Sequence, residues 1–154
     1  MEHYFISNLE DYNHSFESGT IRYESPSNIA LVKYWGKHPV QIPANPSISF
    51  TLDKCKTTTS LTFYKRKQFG FCITVDGQNK ASFEPKITAF FELIMDYLPF
   101  IRTFYFEIET SNTFPHSSGI ASSASGLSAL ALCLCRLEQK LNPKITNQIG
   151  RAHV

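Results

Sequence analysis

The chain has 154 residues and a mass of 17.5 kDa, which suits one compact domain and at most a fragment of a second. Apolar residues make up 42% of it and charged residues 18%, a balance that excludes a disordered or solvated tail. The formal charge of +2 makes nucleic acid an unexpected partner, and the longest apolar run, Leu127 to Cys135, is far too short to span a bilayer. No membrane partner is expected. The first residues carry Glu2, Glu10 and Asp11 and no apolar signal region, so a cytoplasmic address is expected. Cys55, Cys72, Cys133 and Cys135 show no CxxC spacing and no histidine at metal-finger distance, and read as reduced, buried thiols.

Residues 1–19 are polar and aperiodic and read as a loosely attached arm anchored by Tyr4, Phe5 and Ile6, with the folded domain running over 20–154. Thr20 to Tyr23 is strand-like, Ser25-Pro26 interrupts it, and Ile29 to Val32 has the length of a buried strand. After a Pro-rich segment from Pro39 to Pro46, alternation returns at Ile48, Phe50 and Leu52, followed by a β-branched stretch from Thr57 to Phe63. Two strands, Phe69 to Val75 and Ala81 to Phe83, are expected on either side of Asp76-Gly77, which tolerates the positive φ of a tight hairpin. Between Glu84 and Pro99 the period changes, and Ile87, Phe90, Phe91, Ile94 and Leu98 form one stripe of a helix. Phe104, Phe106 and Ile108 alternate with Tyr105, Glu107 and Glu109 as a half-buried strand that runs into a loop from Ser111 to Gly119. Ser122 to Leu141 is a helix apolar on nearly all sides, closed by Asn142-Pro143. Its apolar far side predicts an uncovered patch and, through it, a homodimer. The order of elements gives an α+β fold with no internal repeat.

The most informative stretch is Pro115-His116-Ser117-Ser118-Gly119-Ile120-Ala121-Ser122-Ser123-Ala124-Ser125-Gly126, between the last strand and the last helix. Small side chains let a ligand approach the main chain, and a first helical turn offers unpaired N–H groups backed by the positive end of the helix dipole. Such a turn receives anions, and the serine hydroxyls add donors to phosphate or ligands to magnesium. Serine and glycine also cap helices and permit close packing, and both readings stand at this point. No Gly-Lys-Ser/Thr follows, so the stretch is not a Walker A loop. A second constellation, Asn28 to Lys37, delivers Lys33, Tyr34, Trp35 and Lys37 to the end of a strand, where cations and aromatic rings suit a small anionic substrate.

Asn28 to Lys37 (NIALVKYWGK), Asn45-Pro46-Ser47-Ile48-Ser49 and PHSSGIASSASG together resemble the diphosphomevalonate decarboxylases of the GHMP kinase superfamily, from about Thr20 to about Leu141. The resemblance implies the α+β GHMP-kinase N-terminal fold, like domain 2 of ribosomal protein S5, with a mixed sheet packed against helices and here incomplete. It implies that Pro115, Ser117, Ser118, Gly119, Ile120, Ala121, Ser122 and Ser123 wrap the phosphates of ATP, with the Ser123 hydroxyl also near Mg²⁺. Tyr34 and Lys37 would contact mevalonate diphosphate, and Lys33 would be catalytic, close to the reacting centre. The implied activity is ATP-dependent decarboxylation of mevalonate 5-diphosphate to isopentenyl diphosphate, a step of isoprenoid biosynthesis.

The sequence departs from the family pattern at His116-Ser117-Ser118, where Thr-Ala-Ala is commoner, and in a shorter Lys37-to-Asn45 connection without acidic residues. His116 receives no role. The family's serine- and arginine-containing loop and the aspartate of its second domain have no counterpart here, so an inactive fragment is expected. Asp53, read as ending a strand, and Asp76, read as a turn residue, are not substitutes for that aspartate. Two other readings remain open: a mevalonate-type small-molecule kinase, and a non-catalytic binding or assembly module.

Overall fold

The computed structural model of the protein describes residues 8–13, 15–33, 35–39, 42–115 and 120–145. In chain order its elements are β1 (Ser18–Val32), β2 (Lys37–His38), β3 (Ile42–Pro43), β4 (Ile48–Lys65), β5 (Gly70–Val75), β6 (Gln78–Asn79), α1 (Glu84–Ile94), β7 (Phe104–Asn112) and α2 (Ser122–Leu141). Five strands form a mixed sheet in the order β1-β4-β7-β5-β6, and β2 pairs with β3 in a separate two-stranded hairpin. β5 and β7 are parallel, with α1 in the crossover between them, and the other pairs are antiparallel.

Period-2 alternation sorts the sheet into two faces. Ile21, Leu61, Phe63, Ile73, Val75, Phe104, Phe106 and Ile108 are buried on one face, in one cluster with Ile87, Phe91 and Ile94 of α1 and Leu130, Cys133, Leu134 and Leu137 of α2. Phe91 stacks on Phe106 with ring centroids 5.6 Å apart and meets Phe69 edge-on at 5.0 Å, which fixes α1 over β5 and β7. On the opposite face Tyr64 Oη donates to Glu107 at 3.1 Å, a bond to a carboxyl that holds the Tyr64 pKa above its ordinary value.

Several expectations need correction. β1 is one strand, not two: it passes through Ser25-Pro26 because it lies at the sheet edge, where the missing proline N–H interrupts no ladder. Its register slips there, from Pro26↔Lys56 to Ser27↔Leu52, leaving Asp53, Lys54 and Cys55 as a bulge inside β4. Asp53 therefore sits mid-strand and does not end one. β7 accompanies β4 only from Thr57 to Lys65, so the rest of β4 and the end of β1 project as a two-stranded ribbon. Ile29 to Val32, expected to be buried, lies on that ribbon; Leu31 is 67% exposed, and Ile48 and Phe50 are exposed beside it.

Ala81 to Phe83 is a 3-10 turn leading into α1, because β6 pairs for two residues only. α1 closes at Ile94, a turn before the expected end, although Leu98 still packs in the core. The expected uncovered patch on α2 is also displaced: among the described residues no large apolar side chain of α2 is exposed, and most of the exposed ones stand on the ribbon and the β2–β3 hairpin. The far side of α2 is met in part by Tyr12, which is buried against Phe100 and donates from Oη to Glu138 at 3.0 Å. Tyr4, Phe5 and Ile6 lie outside the described residues. Among the described residues no helix is long and apolar enough to cross a membrane.

Candidate functional site

β7 ends and α2 begins at the same end of the sheet, where the ribbon leaves it: Thr57 is opposite Asn112 on one side and Ser25 on the other. The serines of α2 do not cap it. Ala121 occupies the N-cap position with φ −71° and ψ 65°, and among the described residues no side chain caps the first-turn amides. Ser122 N–H closes a tight turn onto Ile120 O at 2.7 Å, and the Ala124 and Ser125 amides both reach Ala121 O, at 3.2 and 3.3 Å. The Ser123 amide has no acceptor among the described residues, and the Ser123 side chain is exposed above it. That amide and hydroxyl stand at the polar end of the helix, with the dipole behind them.

Ser122, Ser123 and Gly126 form the polar end of a narrow cleft between the two helices, enclosing about 520 Å³ of atom-free space when its open mouth is included. Thr57, Thr59, Thr110 and Asn112 of the sheet add hydroxyl and amide groups. Ile73, Val75, Phe83, Ile87, Ile108, Leu127 and Leu130 line the remainder, and Lys86 is the only cation on the wall among the described residues. A slot that is apolar at one end and carries hydroxyls and a helix N-terminus at the other fits a ligand with a flat apolar part and an anionic tail. Beneath it runs a buried chain: Thr57 Oγ1 donates to Asn112 Oδ1 at 2.6 Å and lies 2.6 Å from Ser125 Oγ.

Of the residues expected in the phosphate loop, Pro115 is exposed at its start, and Ile120, Ala121, Ser122 and Ser123 adjoin or open α2. His116, Ser117, Ser118 and Gly119 lie outside the described residues, as does Tyr34. Lys33 and Lys37 are exposed on the ribbon tip and do not line the cleft. Asn45 organises this tip. Its Oδ1 accepts from Trp35 N–H at 2.9 Å and its Nδ2 donates to Lys33 O at 3.3 Å and Pro46 O at 2.9 Å, while Ala44 N–H donates to Gly36 O at 2.9 Å. One amide side chain thus ties the Lys33 carbonyl, the Trp35 N–H and the Pro46 carbonyl together.

The sequence reading passed over Thr57, Asn112, Lys86 and Asn45 as site residues. Only Asn45 carried a local signal, in its place within the Asn-Pro-Ser motif. Among the described residues no group of three His, Cys, Asp or Glu side chains is placed to hold a metal ion. A hydroxyl such as that of Ser123 suits a magnesium ion that arrives with phosphate oxygens and keeps most of its other ligands.

A mixed five-stranded sheet with two helices on one face and a helix N-terminus opening beside its third strand defines an N-terminal domain of the GHMP kinase type. The model of the diphosphomevalonate decarboxylase-like N-terminal domain matches residues 25–153, and the chain belongs to that family. It is 33% identical over 129 residues to the diphosphomevalonate decarboxylase of Bos taurus, covering 73% of this chain and 32% of that protein. The mevalonate diphosphate decarboxylase of Legionella pneumophila superposes with a TM-score of 0.70 at 28% identity, over 87% of this chain and 44% of that one. MDDEF, solved in complex with MVAPP, AMPPCP and magnesium, superposes with a TM-score of 0.59 at 31% identity, over 88% of this chain and 43% of that one. The chain thus spans about a third of the length of the curated relatives it matches.

Proposed function

We propose that this chain supplies the ATP-binding part of a decarboxylase that converts mevalonate 5-diphosphate to isopentenyl diphosphate. The observation that carries the reading is the cleft at the start of α2, polar at Ser122, Ser123 and Gly126 and apolar between the helices, in a chain of this family. The opening turn of α2 would take the triphosphate, and the apolar wall with Phe83 and Ile87 would take the base, with Lys86 the cation on that wall among the described residues. Ser123 offers its amide to a phosphate oxygen and its hydroxyl to the magnesium ion, which neutralises phosphate charge during transfer. Pro115, Ile120, Ala121 and Ser122 shape the same turn, and Ser117, Ser118 and Gly119 complete it by family resemblance.

The chemistry asks the protein for position and charge. A tertiary hydroxide leaves poorly; once phosphorylated it leaves as phosphate, and positive charge grows on its carbon. The electron pair of the bond between the carboxylate and the neighbouring carbon then becomes the second bond of a new carbon–carbon double bond to that centre, and carbon dioxide departs. Lys33 sits close to the reacting centre and stabilises the negative charge of the transferred phosphate, with its carbonyl held by Asn45, and Tyr34 and Lys37 contact the diphosphate of the substrate by family resemblance.

Isothermal titration of the 154-residue chain with Mg·ATP tests the reading: a saturable one-site isotherm is expected, and a flat titration refutes it. With carboxyl-labelled mevalonate diphosphate, this chain alone is expected to release no carbon dioxide above the no-enzyme control. A polypeptide extended to the length of its relatives is expected to release it.

A further inference from the structure

The stretch from Thr113 to Ala121 is entered from β7 and left through α2, and both of its roots reach one buried hydroxyl. Asn112, the last residue of β7, accepts from Thr57 Oγ1 at 2.6 Å; Ser125, in the first turn of α2, lies 2.6 Å from the same oxygen. Thr57 and Ser125 are each 2% exposed, so the bond between them is shielded from bulk water, while the bond to Asn112 ends on a half-buried side chain.

The protons fix the direction of the chain. Two hydroxyls bring two protons to three sets of contacts, the third being from Ser125 Oγ to Ser122 O at 3.1 Å and Ala121 O at 3.4 Å. The Thr57 proton goes to Asn112, so the other 2.6 Å contact takes the Ser125 proton, and the longer contacts go without. The order is therefore Ser125 to Thr57 to Asn112. It ties helix, central strand and neighbouring strand in series, each bond cooperating with the next in a low-dielectric interior.

We propose that Thr57 is a positioning residue for nucleotide binding: its hydroxyl sets the distance between the end of β7 and the first turn of α2, and so the width of the phosphate end of the cleft. The inference rests on the reading of that cleft as the ATP site. Thr57 acts through Ser125 and Asn112, and the helix passes it at ordinary contact distance: a Cβ built at Gly126 would stand 3.9 Å from Thr57 Cγ2. Valine has the shape of threonine without the hydroxyl, so Thr57→Val removes both bonds and leaves the packing.

The test is titration of Mg·ATP into the full 154-residue chain and its variants, at a temperature well below every unfolding midpoint. Thr57→Val is expected to raise the Kd about tenfold, and Thr57→Ser, which keeps the hydroxyl, to stay within twofold of the parent. Ser125→Ala is expected to reproduce the loss, and the double variant Thr57→Val/Ser125→Ala to lose no more than Thr57→Val alone, since each interrupts the same series and the valine already removes the Ser125 bond. A purely structural threonine would lower the unfolding midpoint and leave the Kd unchanged, and that result overturns the inference. If Thr57→Val does not fold, Ser125→Ala binding with parental affinity overturns it equally. A parent chain that fails to bind Mg·ATP refutes the nucleotide reading itself and the inference with it, whereas a parent that binds alongside equally competent variants refutes the inference alone.

Discussion

Tyr12 offers the sharpest test of how the N-terminal segment is held. Its ring is 4% exposed and meets Phe100 edge-on at 5.3 Å, and its hydroxyl donates at 3.0 Å to Glu138, a carboxyl with no exposed surface. Beside it Asn13 N–H donates to Leu141 O at the last turn of α2. Tyr12→Phe keeps the ring contact and deletes the hydroxyl, so the loss is one buried hydrogen bond to a carboxyl, about 1–3 kcal/mol. For a chain of this size that is a fall in Tm of roughly 3–10 °C. Trp35 is 92% exposed and its emission will barely change on unfolding, so helix circular dichroism in urea is the appropriate probe. Glu138→Gln and the double variant complete a cycle whose coupling energy is expected to exceed about 1 kcal/mol. A Tyr12→Phe chain with the parental midpoint would show that the segment is held by something other than this bond.

Two glycines predict opposite outcomes for the same substitution. Gly126→Ala adds a methyl at 3.9 Å from its nearest neighbour in the interior of α2, and helix propensity favours it by about 1 kcal/mol; Gly19→Ala drives a Cβ to 2.8 Å from the buried ring of Phe63 and is expected to cost about 1–3 kcal/mol, both read from thermal midpoints. Ser27 Oγ is buried without a hydrogen-bond partner among the described residues, so Ser27→Ala is expected to be neutral or to stabilise by about 1 kcal/mol, and a loss of more than that in urea titration would contradict it. Burial pushes the Cys133 thiol up to about 12 from 9.0. A raised folded pKa means that its contribution is complete below pH 9 and is lost as pH rises toward 12, with a slope of up to about 1.4 kcal/mol per unit that Cys133→Ala abolishes in alkaline urea titrations.

How much of this was legible depended on how local the cause was. α2 was read to the residue, Ser122 to Leu141, because apolar periodicity and Asn142-Pro143 are both local. The Asp76-Gly77 turn was equally readable: φ values of 51° and 74° put both residues where Asp and Gly are tolerated, and Val75 pairs with Gln78 across them. The exposure of Leu31 was not, because it depends on β4 outrunning β7, a comparison of strand lengths that no alternation pattern encodes. Ser122 and Ser123 announced themselves by composition. Thr57 did not, since its partners stand 55 and 68 residues away, and a threonine in a β-branched run looks like any other strand residue.

The two motif regions, 28–45 and 113–126, are joined through β4. Thr113 Oγ1 donates to Lys54 O at 2.8 Å and accepts from Lys56 N–H at 2.9 Å, while Thr113 N–H donates to Lys56 O at 2.9 Å. The residue that follows β7 is therefore stitched to the bulge from which the ribbon departs, and any tilt of the ribbon moves the loop root with it. The short Lys37-to-Asn45 connection lies at the other end of that ribbon, closed on itself by Ala44, Gly36 and Asn45. His116, Ser117 and Ser118 fall in the sequence between Thr113, tied to Lys54, and Ser125, tied to Thr57. Substitution of Thr113 would loosen the ribbon and the loop together, whereas substitution of Asn45 would disturb the backbone around Lys33 and leave the start of α2 in place.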